Sequence, residues 1–414
     1  MSVLEIAKKV KEASRQINLA TTKKKNEILY NLKLNLSKRM EEILSANRKD
    51  IENAKNNNMS LSKIERLTLN SKRIKSMEDS IEKVISLKDP INETLDGYVV
   101  ENGLKIEKIR VPLGVVGVIY ESRPNVTIDS FVFCIKSSNA VLLRGGKEAI
   151  ETNKILVILI RDSLEKAGFS PYVVGFIECL DRSGCLEMMK LNGILDVLIP
   201  RGGAGLIKTV VENATVPVIE TGTGNCHVYV DQYADFDMAL NIIYNAKTSR
   251  PSVCNALESL LVHKSIAKDF LIELEKKLKA KNVEIFGCEK TLEILPNVKP
   301  ATEEDYYTEY LDYRISIKIV DDVEKAVEHI NKYSSKHSES IITKNYLVAE
   351  YFLKYVDSAA IYVNASTRFT DGGEFGFGGE IGISTQKLHV RGPMGIKDLT
   401  TTKYLIRGNG QIRI

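Results

Sequence analysis

The chain has 414 residues, 43% of them hydrophobic, and its 58 basic and 54 acidic side chains leave a net charge of +4. That length exceeds one ordinary core and calls for two or three domains, while the near-balanced charge is not the field that selects nucleic acid. No stretch of about 18 apolar residues is present for a membrane span, and the N-terminus lacks a signal-peptide core, so a cytoplasmic protein is expected.

The six cysteines, at positions 134, 179, 185, 226, 254 and 288, form no CxxC pair. Their spacing argues against a metal site or a disulfide framework and for a reducing compartment.

Residues 3 to about 90 are rich in Leu, Ile, Lys, Glu and Asn, and place Ile28, Leu29, Leu32 and Leu36 at helical spacing. This predicts a helical arm, in which the run Lys23-Lys24-Lys25 reads as a solvated face rather than a phosphate contact. From Tyr98 the pattern alternates through Val100, turns at Asn102-Gly103 and resumes over Leu104–Ile109, the signature of a hairpin. The segment Lys403–Ile414 is also strand-like and is a partner for that hairpin, within the chain or across subunits.

Between Gly114 and Glu220, strands at 114–120, 140–143, 172–177, 194–199 and 216–219 alternate with helices, one of them over 151–167. A second alternating series begins at His227 and ends at Val363. Short apolar strands separated by helices predict two parallel-sheet α/β units, with a ligand cleft expected between them.

Cys254 lies in Thr248-Ser249-Arg250-Pro251-Ser252-Val253-Cys254-Asn255, between a predicted helix and a predicted strand. Pro251 can start a helical turn there, whose N–H groups would favour a thiolate; the plainer reading is a small buried hydrophobe. Arg144-Gly145-Gly146-Lys147 and Arg201-Gly202-Gly203-Ala204-Gly205 both put glycines and a guanidinium where a strand gives way to a helix. Neither fits G-x-G-x-x-G, but the recurrence favours a nucleotide over two plain tight turns, and Arg144 with Lys147 suits a 2′-phosphate. Asn125, after Glu121-Ser122-Arg123-Pro124, reads either as an amide donor to an oxyanion or as a helix cap. The long polar stretch Asn364–Gly395 carries Arg368, Lys387, His389 and Arg391, which together suit a doubly anionic substrate.

The runs Val111–Thr127, Arg250–Asn255, Val356–Gly373 and Ser384–Gly395 together resemble the gamma-glutamyl phosphate reductase family of the aldehyde dehydrogenase superfamily. That resemblance implies an α/β, aldehyde dehydrogenase-like fold: two parallel-sheet domains plus a small β oligomerisation ribbon. It divides the chain into a helical arm and the start of the cofactor-binding domain (1–96), an oligomerisation hairpin (97–110), an NADPH-binding Rossmann-like domain (111–225), a catalytic domain (226–363), an active-site loop region returning to the cofactor domain (364–398) and a C-terminal oligomerisation strand (399–414).

The implied activity is NADPH-dependent reduction of L-glutamyl 5-phosphate to the 5-semialdehyde in proline synthesis, without a metal. Cys254 would be the nucleophile and Asn125 the oxyanion donor. Arg144, Gly145, Gly146, Lys147, Arg201, Gly202, Gly203, Gly205 and Glu309 would hold the cofactor, with Glu309 on the nicotinamide ribose. Lys387 or Arg391 would receive phosphate, Arg123 or Arg368 the glutamyl carboxylate, with His389 beside them. Glu220 falls where hydrolytic relatives keep a base, although a reductase acting on an acyl phosphate must keep water off its thioester. A homo-oligomer and a transient contact with glutamate 5-kinase are the implied partners. The rival readings are an aldehyde-oxidising enzyme using Glu220, and a non-catalytic nucleotide-binding protein.

Overall fold

The Val-, Ile- and Leu-rich runs pair in parallel because strands covered on both faces have no solvent side on which to alternate. The structure, a computed structural model, describes every residue except Leu180 and Ile414, with Leu61 and Ser62 described in backbone alone. The chain divides into two units: Met1–Thr221 with Gly376–Gly382 and Met394–Ile414, and Gly222–Phe375 with Ile383–Pro393. The changeover falls at Thr221/Gly222, where the sequence division puts it at 225/226, and the stretch 364–398 is shared between the units.

In the first unit a four-stranded parallel sheet runs in the order Val174–Phe176, Ala140–Arg144, Val115–Tyr120, Val197–Arg201. Chain direction across the sheet reverses between the last two strands, and the space beyond the carboxyl ends at such a switch point is where α/β sheets take ligands. The segment 216–219 does not form the expected strand. Pro217 has no N–H to give, and only the bridge between Leu198 and Val218 survives, built from Leu198 N–H to the Pro217 carbonyl and Ile219 N–H back to Leu198.

The arm forms helices Val3–Asn18, Thr22–Lys38, Met40–Asn56, Leu61–Leu67 and Ser71–Ser86, the first opened by a Ser2–Glu5 capping box. Ile28, Leu29, Leu32 and Leu36 are fully buried as their spacing requires. Lys25 departs from the solvated face expected of it: it is completely buried, paired with Asp89 at 2.6 Å and donating to Ser138 Oγ and the Lys136 carbonyl. An ion pair between residues so far apart in sequence leaves no local signature.

The predicted hairpin is present as Thr94–Val99 and Lys105–Pro112, and Thr400–Arg407 pairs antiparallel with the second strand, from Thr400 opposite Pro112 to Arg407 opposite Lys105. The C-terminal strand thus pairs within the chain and stops at Arg407, short of the predicted run; Ile414 lies outside the described residues.

The second unit holds a seven-stranded parallel sheet in the order Lys299–Pro300, Glu284–Gly287, Arg314–Val320, Leu257–His263, Cys226–Val230, Ser338–Ile342, Ala360–Val363. Val228, Leu260, Phe270, Leu274 and Ile317 are among its fully buried side chains, on one face of the sheet.

His329 is 5% exposed, its ring edge-on to Tyr306 and His227 and tilted against Tyr333, and neither ring nitrogen meets a hydrogen-bond partner. Burial, with smaller contributions from His227, Lys318 and Lys332, pushes its pKa down to about 2. An unfolded histidine takes up its proton near about 6.5, so stability is full above that pH and falls below it, by about 1.4 kcal/mol per unit at most for this one group. His329→Phe is expected to flatten the loss of denaturant stability between pH 7.5 and 5.5; an unchanged slope would refute the assignment.

Candidate active site

In the first unit the candidate residues collect at the carboxyl ends of the strands. After Tyr120, Ser122 is held at φ 45°, a left-handed conformation unfavourable for a residue with a Cβ. Glu148 Oε1 pins it, accepting from Ser122 N–H at 2.6 Å and Oγ at 2.7 Å. This turn delivers Asn125 as the first residue of helix Asn125–Lys136.

Asn125 is not the cap that its local sequence suggests. Pro124 occupies the cap position, and Asn125 Nδ2 donates at 2.8 Å to Asp129 Oδ2, one turn along. That bond fixes the plane of the amide and leaves Nδ2 a second N–H to donate. Burial pushes the Asp129 carboxyl up to about 6, against the Asn125 bond and the charge of Arg201.

The two arginine turns flank this point. Arg144 ends its strand and donates to the Asp181 carbonyl at 3.1 Å, followed by Gly145, where the Asn153 amide and Tyr120 ring leave no room for a Cβ. At Gly146 a Cβ would meet the Glu148 carboxylate, and Lys147 follows, exposed. Arg201 is partly buried, with no partner on its Nε, and its guanidinium packs over Gly382. Gly203 N–H, at the uncapped start of helix Ala204–Asn213, donates to Glu121 Oε2 at 3.1 Å, and the same carboxylate fills the space a Cβ on Gly202 would take. The turn thus already holds an anionic oxygen, as a phosphate-binding helix start would. Gly205 faces open space and is under no such steric demand.

In the second unit Cys254 is partly buried, between helix Phe236–Thr248 and strand Leu257–His263. The helical turn expected from Pro251 does not form; the segment is a succession of turns. Side-chain anchors set its path instead. Asn255 Nδ2 donates to the carbonyls of Arg368 and Thr370, and Thr367 Oγ1 donates to the Asn255 carbonyl at 2.8 Å.

At the base of the loop, Lys247 Nζ meets Glu258 Oε2 at 2.6 Å, both completely buried, and also donates to the Leu257 carbonyl. Burial pushes the Glu258 carboxyl up and the Lys247 ammonium down, opposed by their mutual attraction. Glu258 Oε1 accepts from Leu311 N–H, so the pair also ties down the loop bearing Glu309. Glu309 Oε1 in turn accepts from Gly224 N–H at 2.6 Å. Gly224 packs so closely on the Cys254 backbone that a Cβ would fall on its carbonyl group, and buried Cys226 donates its S–H to that carbonyl at 3.1 Å.

The basic residues predicted as one group separate into two. Lys387 and Arg391 converge on Asp357, at 2.9 and 2.8 Å, with Lys336 beside them; these cations hold the Asp357 carboxyl far below the usual range. His389 is exposed on the same stretch, at φ 68°. Arg368 instead donates from Nε to Ser249 Oγ at 3.2 Å, on the loop of the thiol. In the first unit, Arg123 and Glu220 are both partly buried.

Sequence reasoning passed over Glu121, Glu148, Asp129, Gly224 and Asp357. Of these only Asp129 carried a signal, its i+4 spacing from Asn125 on one helix face.

Residues 1–305 match the aldehyde dehydrogenase family model, and the chain belongs to that family. It is 56% identical over 411 residues to the gamma-glutamyl phosphate reductase of Clostridium acetobutylicum, covering 99% of this chain and 98% of that protein. The reductase of Carboxydothermus hydrogenoformans is 57% identical over 411 residues, covering 99% of both. The crystal structure of gamma-glutamyl phosphate reductase from Thermotoga maritima is 52% identical, covers both chains completely and superposes with a TM-score of 0.97. Within the family, the chain groups with the gamma-glutamyl phosphate reductases.

Proposed function

We propose that this chain catalyses the NADPH-dependent reduction of L-glutamyl 5-phosphate to L-glutamate 5-semialdehyde with release of phosphate, the second step of proline synthesis from glutamate. The observation that carries this reading is its 56–57% identity, over almost the whole length, to relatives named for that reaction.

The Cys254 thiolate attacks the acyl carbonyl, forming a thioacyl enzyme as phosphate leaves. Asn125 Nδ2 and the Cys254 N–H donate to the oxyanion, and the bond from Asn125 to Asp129 keeps that donor from reorienting. Arg144, Gly145, Gly146, Lys147, Arg201, Gly202, Gly203 and Gly205 would hold NADPH, Arg144 and Lys147 taking the 2′-phosphate and Glu309 the nicotinamide ribose. A pyrophosphate oxygen there would take over the Gly203 N–H from the Glu121 carboxylate. When bound, the dinucleotide supplies the hydride that turns the thioester into an aldehyde. Arg123 is the proposed carboxylate anchor, and Glu220 has no step in this scheme.

The strands Thr94–Val99, Lys105–Pro112 and Thr400–Arg407 expose Tyr98, Val99, Tyr404 and Ile406, which supports a homo-oligomer formed through this ribbon. Contact with glutamate 5-kinase, which would pass on a labile acyl phosphate, belongs to the same proposal. No described helix is long and apolar enough to cross a membrane, and a cytoplasmic site is proposed.

The direct test is rapid-quench trapping during turnover, followed by peptide mass mapping. A glutamyl mass on the Cys254 peptide is expected; an adduct elsewhere, or none at any quench time, would refute the mechanism.

A further inference from the structure

One guanidinium, that of Arg250, is carried by the loop of the thiol, and a second, that of Arg368, is tied to it. Arg368 sits in the turn Thr367–Phe369, whose carbonyls and hydroxyl are strapped to Asn255, the residue after Cys254. Its own Nε reaches Ser249, the residue before Arg250. Asn255 on one side of the sulfur and Ser249 on the other are thereby anchored to a single segment, and Arg250 lies between these two anchored residues. Burial lowers the proton affinity of Arg368, Arg250 lowers it further, and Cys254 and Asp371 raise it, so Arg250 and Cys254 are both within electrostatic reach of that guanidinium. Lys387 and Arg391, assigned from sequence to the phosphate, are ion-paired with Asp357.

We infer that Arg250 and Arg368 receive the phosphoryl group of the substrate as Cys254 displaces it. The inference rests on Cys254 being the residue acylated. In an acyl phosphate the phosphorus is two bonds from the carbon under attack, so cations for the leaving group must lie close to the nucleophile, as residues on its loop or tied to that loop do. Arginine forks match phosphate oxygens in pairs. Two like charges brought together are unfavourable until a dianion arrives, and their hold strengthens as the C–O bond breaks and charge grows on the bridging oxygen. The sulfur electron pair forms the S–C bond, the C–O pair departs with phosphate, and the proton lost by the thiol ends on that phosphate. Nothing is oxidised or reduced in this step.

The reaction run backwards separates the roles, with inorganic phosphate as the probe. Semialdehyde and NADP without phosphate should give wild type a burst of NADPH as the thioester forms, and phosphate should then release it. Arg250→Gln and Arg368→Gln are expected to keep the burst but raise the KM for phosphate about 10- to 100-fold each, the range of a lost charged hydrogen bond. Arg368→Lys should fall between Arg368→Gln and wild type. Two results would overturn the inference: a phosphate KM unmoved in these variants but raised in Lys387→Gln or Arg391→Gln, or a raised semialdehyde KM alone in Arg368→Gln, which would return that arginine to the glutamyl carboxylate. A wild type with no burst would refute the thioester reading beneath it, an outcome that no arginine variant can imitate.

Discussion

Cys254→Ser is expected to lower kcat on the order of 10⁴-fold or more while leaving nucleotide affinity within about two-fold. A thiol is partly ionised near neutral pH and intrinsically nucleophilic, whereas a serine hydroxyl needs a general base beside it. The side chains that anchor the loop to the segment 367–370 offer amides, carbonyls, hydroxyls and one guanidinium, which position or polarise but do not take a proton from a serine hydroxyl. The check is steady-state reduction alongside nucleotide titration by fluorescence. Residual activity above a few per cent would mean that the acyl group is carried elsewhere, and lost nucleotide binding would mean that the substitution disturbs more than one atom.

Gly224→Ala is expected to lower kcat roughly 10²-fold, although it adds a single methyl to a residue with no chemistry of its own. Its φ is not in the left-handed region, so the demand is purely one of space: the new Cβ would coincide with the Cys254 carbonyl. The backbone must part there, and the Gly224 N–H is already held by Glu309. Overpacking of this kind costs about 1–3 kcal/mol of stability, and displacing a nucleophile by about 1 Å costs roughly 10²-fold in rate. A thermal melt with the kcat measurement separates the two: a modest drop in Tm with a large drop in kcat is expected. Wild-type kinetics would show that the thiol does not depend on this packing.

Much of the architecture was legible because parallel strands advertise themselves as uninterrupted apolar runs, and the glycine-bearing turns mark where they end. Boundaries blurred where a single residue decided them, as at Pro217. The chemistry-bearing side chains were legible by type, since a cysteine, an amide and basic residues near glycines are what acyl transfer and phosphate binding use. What escaped were the partners that aim them. Glu148 pins Ser122 from 26 positions away, Asp357 captures Lys387 and Arg391 over a similar gap, and Asn255 reaches across to Arg368. Such pairs depend on which distant segments the fold brings together, and no local window contains both members. The failed helical turn at Pro251 has the same cause: local preference favoured a helix, and Asn255 and Thr367 tied the backbone into another path.

The buried Lys247–Glu258 pair stands at both feet of the thiol's loop, one residue from the end of the helix and one from the start of the strand. Breaking such a pair strands a charge in the interior at about 3–5 kcal/mol, so the two feet stay a constant distance apart. The span 249–256 is therefore a bridge cut to measure. Its length is held as firmly as its chemistry: a residue gained or lost there would have to be taken up as slack at the nucleophile itself.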